Sequence, residues 1–304
     1  MSVTMREAAP RRHIKRTPAD LVFDVLLAIL GIIIFVVVVY PLYFVVLASF
    51  SDPLKVAGGE VWLWSDSFTL YGYQQVFENA RIWTGYRNTL FYTIVGTALH
   101  LAVTLSAAYT LSRKNVMLRG PLMFLFTVAL FFSGGMIPTY FVYRDLGLLD
   151  TVWCLLLPGS LGIYNLIIAR TYFANNIPDE LLNAAQIDGC TDFRFFFQFV
   201  LPLSKAIIAV VALYNAVAVW NSYMDALLYL RDANLVPLQL VLREILVASS
   251  NDAMSSGTGE DLFMTMREQV KYGVIVVSTL PLMLVYPFLQ KYFNKGVMIG
   301  AVKG

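Results

Sequence analysis

AAQIDGCTDFRFFFQFVLP, residues 184–202, separates two of the most apolar stretches of a 304-residue chain. It contains two aspartates, an arginine, a glycine and five phenylalanines, and ends in proline. The residues just before it read as a helix start. Pro178 suits the first helical position, and Asp179 and Glu180 fall in the first turn, where the helix dipole favours acids. Leu181, Leu182, Ala184, Ala185 and Ile187 give that helix a small-to-apolar face. Asp188-Gly189 then marks a turn, with Gly189 free to adopt a left-handed backbone. A second short helix follows, carrying Phe193, Phe195, Phe196, Phe197 and Phe199, and Pro202 opens the next apolar run. The expected local structure is a pair of short helices about a tight turn.

The surroundings of this pair follow from composition. The chain is 58% hydrophobic and 14% charged, with a mean hydropathy of +0.67. A soluble domain carries about a quarter charged residues, so lipid is the expected solvent. A net charge of +2 gives no basis for nucleic-acid binding. Cys154 and Cys190 have neither a disulfide pattern nor metal-site spacing, and His13 and His100 are too few for a histidine-based metal centre.

A hydrocarbon core of ~30 Å needs ~20 mostly apolar helical residues. Six runs qualify, at Val22–Phe50, Asn88–Leu111, Leu122–Tyr143, Val152–Phe173, Leu203–Leu228 and Tyr272–Tyr292. They are too long for membrane strands, so an all-α bundle of six transmembrane helices is expected. The first run exceeds a signal-peptide core and has no cleavage site after it, so it should remain in the mature protein. With six spans, fourteen of the 22 Lys and Arg residues fall on the N-terminal side of the membrane. By the positive-inside rule both termini face the cytoplasm. Residues 1–20 are then a cytoplasmic tail, 21–294 the membrane domain and 295–304 a second cytoplasmic tail. The helix pair lies in the longest internal loop, 175–202. Two external loops are long: one holds "VWLWSDSFTLYGYQQVF", the other the Ser/Gly-rich "ASSNDAMSSGTGED".

An aromatic helix pair on the cytoplasmic face has two readings from its residues. It rests among lipid headgroups, or it inserts phenylalanine anchors into a partner protein. The segment resembles the EAA loop of ABC-importer permeases, in which E-A-A precedes a D-G-like turn and, about nine residues later, I-x-L-P. Ala184, Ala185, Asp188, Gly189, Leu201 and Pro202 fall in the matching places, with Asn183 where the family has glutamate and Phe199 where it has isoleucine. The stretches "FSGGMIPTYFVYRDLGLLDTVWCLLLPG", "WNSYMDALLYLRD" and "YPFLQKYFNKGVMIGAVKG" are similar to carbohydrate-uptake permeases related to the maltose importer, within them the lipoprotein-type, aldouronate-like oligosaccharide permeases.

That resemblance implies the type I importer permease fold and a coupling helix seated in a cleft of an ATPase. It implies a heterodimer with a second related permease, two copies of a cytoplasmic ABC ATPase, and an extracellular solute-binding protein that delivers an oligosaccharide. On this reading Phe195 and Phe196, in the middle of the second helix, are the expected docking anchors. In maltose-type relatives one permease tail reaches into the ATPase dimer, which makes Lys295–Gly304 a candidate for the same role. The chain contains no G-x-x-x-x-G-K-[ST] phosphate loop. No cofactor and no catalytic residue is therefore expected on it; ATP and Mg²⁺ belong to the partner ATPase.

Polar groups inside spans are costly and mark candidate substrate paths. Gly134, Gly135 and Pro138 loosen the third run, "PGSLGIYN" interrupts the fourth, and "WNSYMDAL" the fifth. Broken helices near mid-membrane expose backbone to a transport cavity. Tyr164, Asn165, Trp220, Asn221 and Tyr223 offer the amide and aromatic surfaces that sugars need, and are the expected path residues. An ion- or proton-coupled carrier acting without an ATPase is the alternative, and needs a buried relay for which only His100 qualifies.

Overall fold

The computed structural model describes residues 18–255, 269–284 and 287. Residues 1–17 of the expected N-terminal tail, the expected C-terminal tail 295–304, and residues 285–286 and 288–292 of the sixth run lie outside the described residues. Within them every named element is helical, apart from one antiparallel bridge between Ser51 and Phe68. In order these are α1 (Pro18–Phe50), α2 (Pro53–Ala57), α3 (Tyr71–Glu78), α4 (Ala80–Ser112), α5 (Arg119–Phe131), α6 (Met136–Asp145) and α7 (Trp153–Leu156). A 3₁₀ turn (Pro158–Ser160) leads to α8 (Ile163–Asn176), α9 (Asp179–Ile187), α10 (Asp192–Phe195), a π-turn (Phe196–Val200) and α11 (Leu201–Leu203). The remainder is α12 (Lys205–Asn221), α13 (Met224–Tyr229), α14 (Leu238–Ser255) and α15 (Gln269–Leu284).

Among the described residues three segments are long and apolar enough to cross a membrane as they stand: α1, α4, and α7 with α8. The third expected run is not one straight span. It divides at Gly134-Gly135 into α5 and α6, which meet at 117°. The fifth is also interrupted, by an 83° bend between Asp192–Leu203 and α12 and by a break at Ser222-Tyr223. Glycine removes the side-chain barrier to bending and proline removes a backbone hydrogen bond, and a bend persists where other groups take over the freed backbone bonds. Ser133 does this at the first break, its hydroxyl accepting from the Gly135 N–H at 3.2 Å.

The remaining helices are organised around α4. Asn79 caps its start, its side chain accepting the Arg81 N–H. Its interior has no proline, so 33 residues continue unbroken. One face carries Asn88, Thr89, Tyr92 and His100, all buried, each bonded to a loop, a turn or the first turn of another helix. Asn88 donates to the carbonyls of Asn234 (2.6 Å) and Val236 (2.9 Å). Tyr92 donates to Leu235 (2.8 Å), and Thr89 accepts from the Leu238 N–H (2.8 Å). Two cores form along the bundle. One joins Leu105, Ala108 and Tyr109 of α4 to α8, α9, α10 and α12. The other gathers Ile82, Cys154, Tyr229, Leu230 and Leu238 at the opposite end. By contrast α1 buries only Leu47, Ala48 and Ser49, and α5 and α6 bury nothing within the chain.

Truncating Asn88 to alanine leaves the buried Val236 carbonyl, and the part-buried Asn234 carbonyl beside it, without their donor, a cost of about 1–3 kcal/mol. The expected result is a lower midpoint of thermal unfolding for the purified permease, with Asn88→Asp failing to restore it because a carboxylate donates nothing.

Candidate functional site

Between α8 and α12 the chain builds the expected helix pair. Pro178 precedes α9 in extended geometry and Asp179 begins it. The helix ends in a Schellman turn: the Cys190 N–H bonds the Ala185 carbonyl (2.9 Å) and the Gly189 N–H the Gln186 carbonyl (3.0 Å), with Gly189 at φ +77°. Thr191 then caps α10, its hydroxyl accepting the Arg194 N–H. Gln186 donates to the Asp192 carboxylate at 3.1 Å, tying the two helices across the turn.

The pair is fixed to the bundle from below. Leu182, Ala185, Phe195, Phe196 and Val200 are buried in the first core, against Tyr109 of α4 and Phe173 of α8. Phe195 and Val200 are five residues apart and both fully buried, as a single π-turn requires. This corrects the placement of the docking anchors: Phe195 and Phe196 are core side chains, and their area is spent inside the chain. The rings that project outward are Phe193 (75% exposed) and Phe197, which pack on each other at 4.7 Å, with Phe199 at the margin. Ile187, at the end of α9, is also exposed, at 87%, and the sequence reading did not single it out. Ala184, Asp188, Gly189 and Pro202 are exposed, and Leu201 is half-buried against the core.

Arg113, one residue past α4, locks this arrangement. It is buried, donates to Asp179 at 3.3 Å, and lies over the Tyr109 ring (4.8 Å) with Phe195 at 5.8 Å. Its Nε and Nη2 hydrogens have no oxygen partner among the described residues, so the aromatic faces supply the remaining stabilisation. Lys114 reaches the same carboxylate at 3.1 Å. One side chain of α4 thereby holds the first residue of α9 and a core ring of α10. Lys114 first, and Arg113 after it, hold the Asp179 carboxyl below the usual carboxylate range. A depressed carboxylate keeps its contribution above the unfolded pKa of about 3.9 and loses it only as pH falls through the lower folded value. Near neutrality the link is constant.

The five expected path residues do not converge. Asn165 pairs with His100: its amide nitrogen is 3.0 Å from Nε2, while Nδ1 lies 2.8 Å from the Gly159 carbonyl. Gly162 permits this approach, since a Cβ there would sit 2.8 Å from His100 Cε1. Trp220 is buried and donates to the Ser278 carbonyl of α15 at 3.2 Å. Asn221 bonds back to Val217 in its own helix, Tyr223 lies beneath the Arg243 guanidinium, and Tyr164 is exposed. A cavity of about 210 Å³ opens beside them, lined by Thr89, Tyr92, Gly159, Asn215, Ser222 and Asp225. None of the five lines it. Asn215, buried and bonded to Thr97, is the polar residue the reading of "WNSYMDAL" missed by starting one turn too late.

A helical bundle with discontinuous spans, a polar interior and a protruding helix pair is the architecture of a transport permease, and the chain belongs to the permeases of ABC sugar-transport systems. It is 41% identical over 285 residues to the polygalacturonan/rhamnogalacturonan transport system permease protein YtcP of Bacillus subtilis, covering 93% of this chain and 98% of that one. Protein LplC of the same organism is 40% identical over 288 residues, covering 95% and 97%. Among solved structures, a permease chain of a bacterial ABC transporter that imports the acidic polysaccharide alginate superposes with a TM-score of 0.84 at 30% identity, over 92% of this chain and all of the other. No family model matches. Membership makes the chain a multi-pass transport subunit rather than an enzyme, and the comparisons give no support to a carrier acting without an ATPase.

Valine at position 189 strains the left-handed turn by roughly 1 kcal/mol or more while meeting open space, so it acts on the turn alone. The expected outcome for Gly189→Val is normal membrane insertion with less ATPase retained on the purified complex. Arg113→Met keeps the apolar stem and removes the charge link. Transport is expected to fall further than ATP hydrolysis, an uncoupling read by measuring both rates on one preparation.

Proposed function

We propose that this chain is one of two related permeases in an oligosaccharide importer, crossing the membrane six times with both termini in the cytoplasm. The domain limits are those given above, with 175–202 as the coupling loop. Two ABC ATPase subunits, which hold ATP and Mg²⁺, sit beneath it, and a solute-binding protein delivers cargo from outside. Transport follows alternating access: closure of the ATPases moves the loop, the bundle rocks, and the cavity opens outward.

The observation that carries this reading is the division of the helix pair into two faces. One face is welded to the bundle through Phe195, Phe196 and Arg113. The other offers Ile187, Phe193 and Phe197 to whatever lies below. A lever needs both a rigid attachment and a free grip. The docking contacts assigned to Phe195 and Phe196 accordingly pass to these three residues, while Ala184, Asp188 and Gly189 shape the turn between them and Leu201 and Pro202 join it to α12. For the cargo, two similar proteins are named for acidic polysaccharides, which favours an acidic oligosaccharide. Tyr164, Asn221 and Tyr223, together with Asn215 and Asp225 at the cavity, are the proposed path residues; Asn165 and Trp220 shape the path from behind.

An alanine scan separates the two faces. Phe193→Ala or Phe197→Ala should leave thermal stability near wild type and weaken ATPase retention, by about 2 kcal/mol or roughly thirtyfold at the dominant anchor. Phe195→Ala should instead lose about 3–5 kcal/mol of stability. Even, small losses of ATPase across all five phenylalanines would return the segment to the membrane surface. Uptake of labelled oligogalacturonate against a neutral oligosaccharide of equal length tests the cargo.

A further inference from the structure

The segment Trp62-Leu63-Trp64 exposes three large apolar side chains in succession, at 69%, 70% and 69%. Exposed runs of this kind mark a contact surface. Its position relative to α1 identifies the contact. Tyr43 of α1 donates to the Leu63 carbonyl (2.5 Å) and Tyr40 to the Trp62 carbonyl (3.4 Å), so the loop is folded back and pinned beside the helix. The Trp62 indole nitrogen is occupied by the Gly59 carbonyl at 2.6 Å, which fixes the ring's direction.

The helix to which the loop is pinned faces lipid. From Leu21 to Val38 its large apolar side chains are exposed at successive positions and so point in every direction around the axis. A helix that is hydrophobic all round is either buried in a large core or a membrane span, and the described chain covers almost none of α1, while a single protein neighbour would cover one side only. Counting about twenty residues from Val25, just after Asp24, the hydrocarbon crossing ends near Phe44. Tyr40 and Tyr43 therefore lie in the last turn of the crossing, where tyrosine and tryptophan gather at membrane–water interfaces. Glu60 and Asp66 flank the apolar triplet, so the loop changes from charged to apolar and back within seven residues.

We infer that Trp62–Trp64 is a membrane anchor, seated in the headgroup region of the leaflet at the C-terminal end of α1. The loop returns to the bilayer instead of standing in solvent, and the two tyrosine hydroxyls set its depth. Only the name of that leaflet, the outer one, rests on the topology proposed above.

The test uses the importer complex reconstituted in phosphatidylcholine vesicles. Tryptophan emission of the wild type is compared with that of the Trp62→Phe, Trp64→Phe double variant, which keeps Trp83, Trp153 and Trp220. The difference signal is expected to be blue-shifted, quenched by phosphatidylcholine brominated high on its acyl chains, and resistant to iodide. Quenching by iodide and not by brominated lipid would overturn the anchor, and so would protection from both, which means a protein covers the loop. A shift of the difference signal on adding the solute-binding protein, without lipid quenching, also overturns it and assigns the surface to that partner. Brominated lipid exchanged into one leaflet at a time separates the two readings: quenching from the inner leaflet alone keeps the anchor and sinks the orientation. In Tyr40→Phe, Tyr43→Phe both tryptophans remain, and lipid quenching should fall; unchanged quenching would remove the tyrosines from the proposal.

Discussion

Helices interrupted within a membrane leave backbone N–H and C=O groups that lipid cannot satisfy, and this chain interrupts several. The protein meets that constraint with one uninterrupted helix. Along α4 a stripe of Asn88, Thr89, Tyr92 and His100 supplies donors and acceptors to residues 234–238 and to Gly159. Gly85 of the same helix lets the start of α14 approach: a Cβ there would lie 2.9 Å from the Leu238 Cα. The breaks around the cavity are tolerable because α4 has none.

The same helix connects the two ends of the molecule. Its first half lies against the core of Tyr229 and Leu238, its second half against the core of Phe173 and Phe195. Arg113 continues the connection beyond the last turn and clasps the helix pair. A displacement of that pair therefore reaches the cavity through a stiff rod rather than through loops. At the far end Gln269 performs a related service. It donates to the carbonyls of Ser51 and Thr69 and accepts from the Gly72 N–H, holding α15 to the connection between α1 and α3.

Much of this was legible in the residues. The runs in α1 and α4 are continuous and apolar, and length alone identifies them. Pro178, the acids after it and Asp188-Gly189 mark the helix pair by local chemistry, which tertiary context rarely overrides. Local chemistry could not give the bends. Gly134 and Gly135 permit a break without dictating that α5 and α6 meet at 117°, which depends on neighbours far along the chain. The inward and outward phenylalanines were also hidden, because a place in the middle of a helix does not say which face is covered, and one π-turn shifts the period there. The arrangement of the path residues was hidden for a third reason. Asn165 and Asn221 are spent on His100 and on their own helix, and only coordinates reveal such engagements. The polar stripe of α4, at four-residue intervals from Asn88 onward, was the readable signal that went unused.

The π-turn at Phe196–Val200 makes segment length matter in its own right. A π-turn amounts to one residue inserted into an α-helix, and its removal restores the ordinary period. The wider turn absorbs about one residue step of ~100°, so the helix before it keeps the facing it would have without the extra residue. Losing one residue between Phe196 and Val200 would close the segment as ordinary α-helix and leave Phe195 in the core. Gaining one would exceed what the turn absorbs and rotate the helix pair by about that step relative to α12. A single deletion in these five positions should therefore be better tolerated than a single insertion.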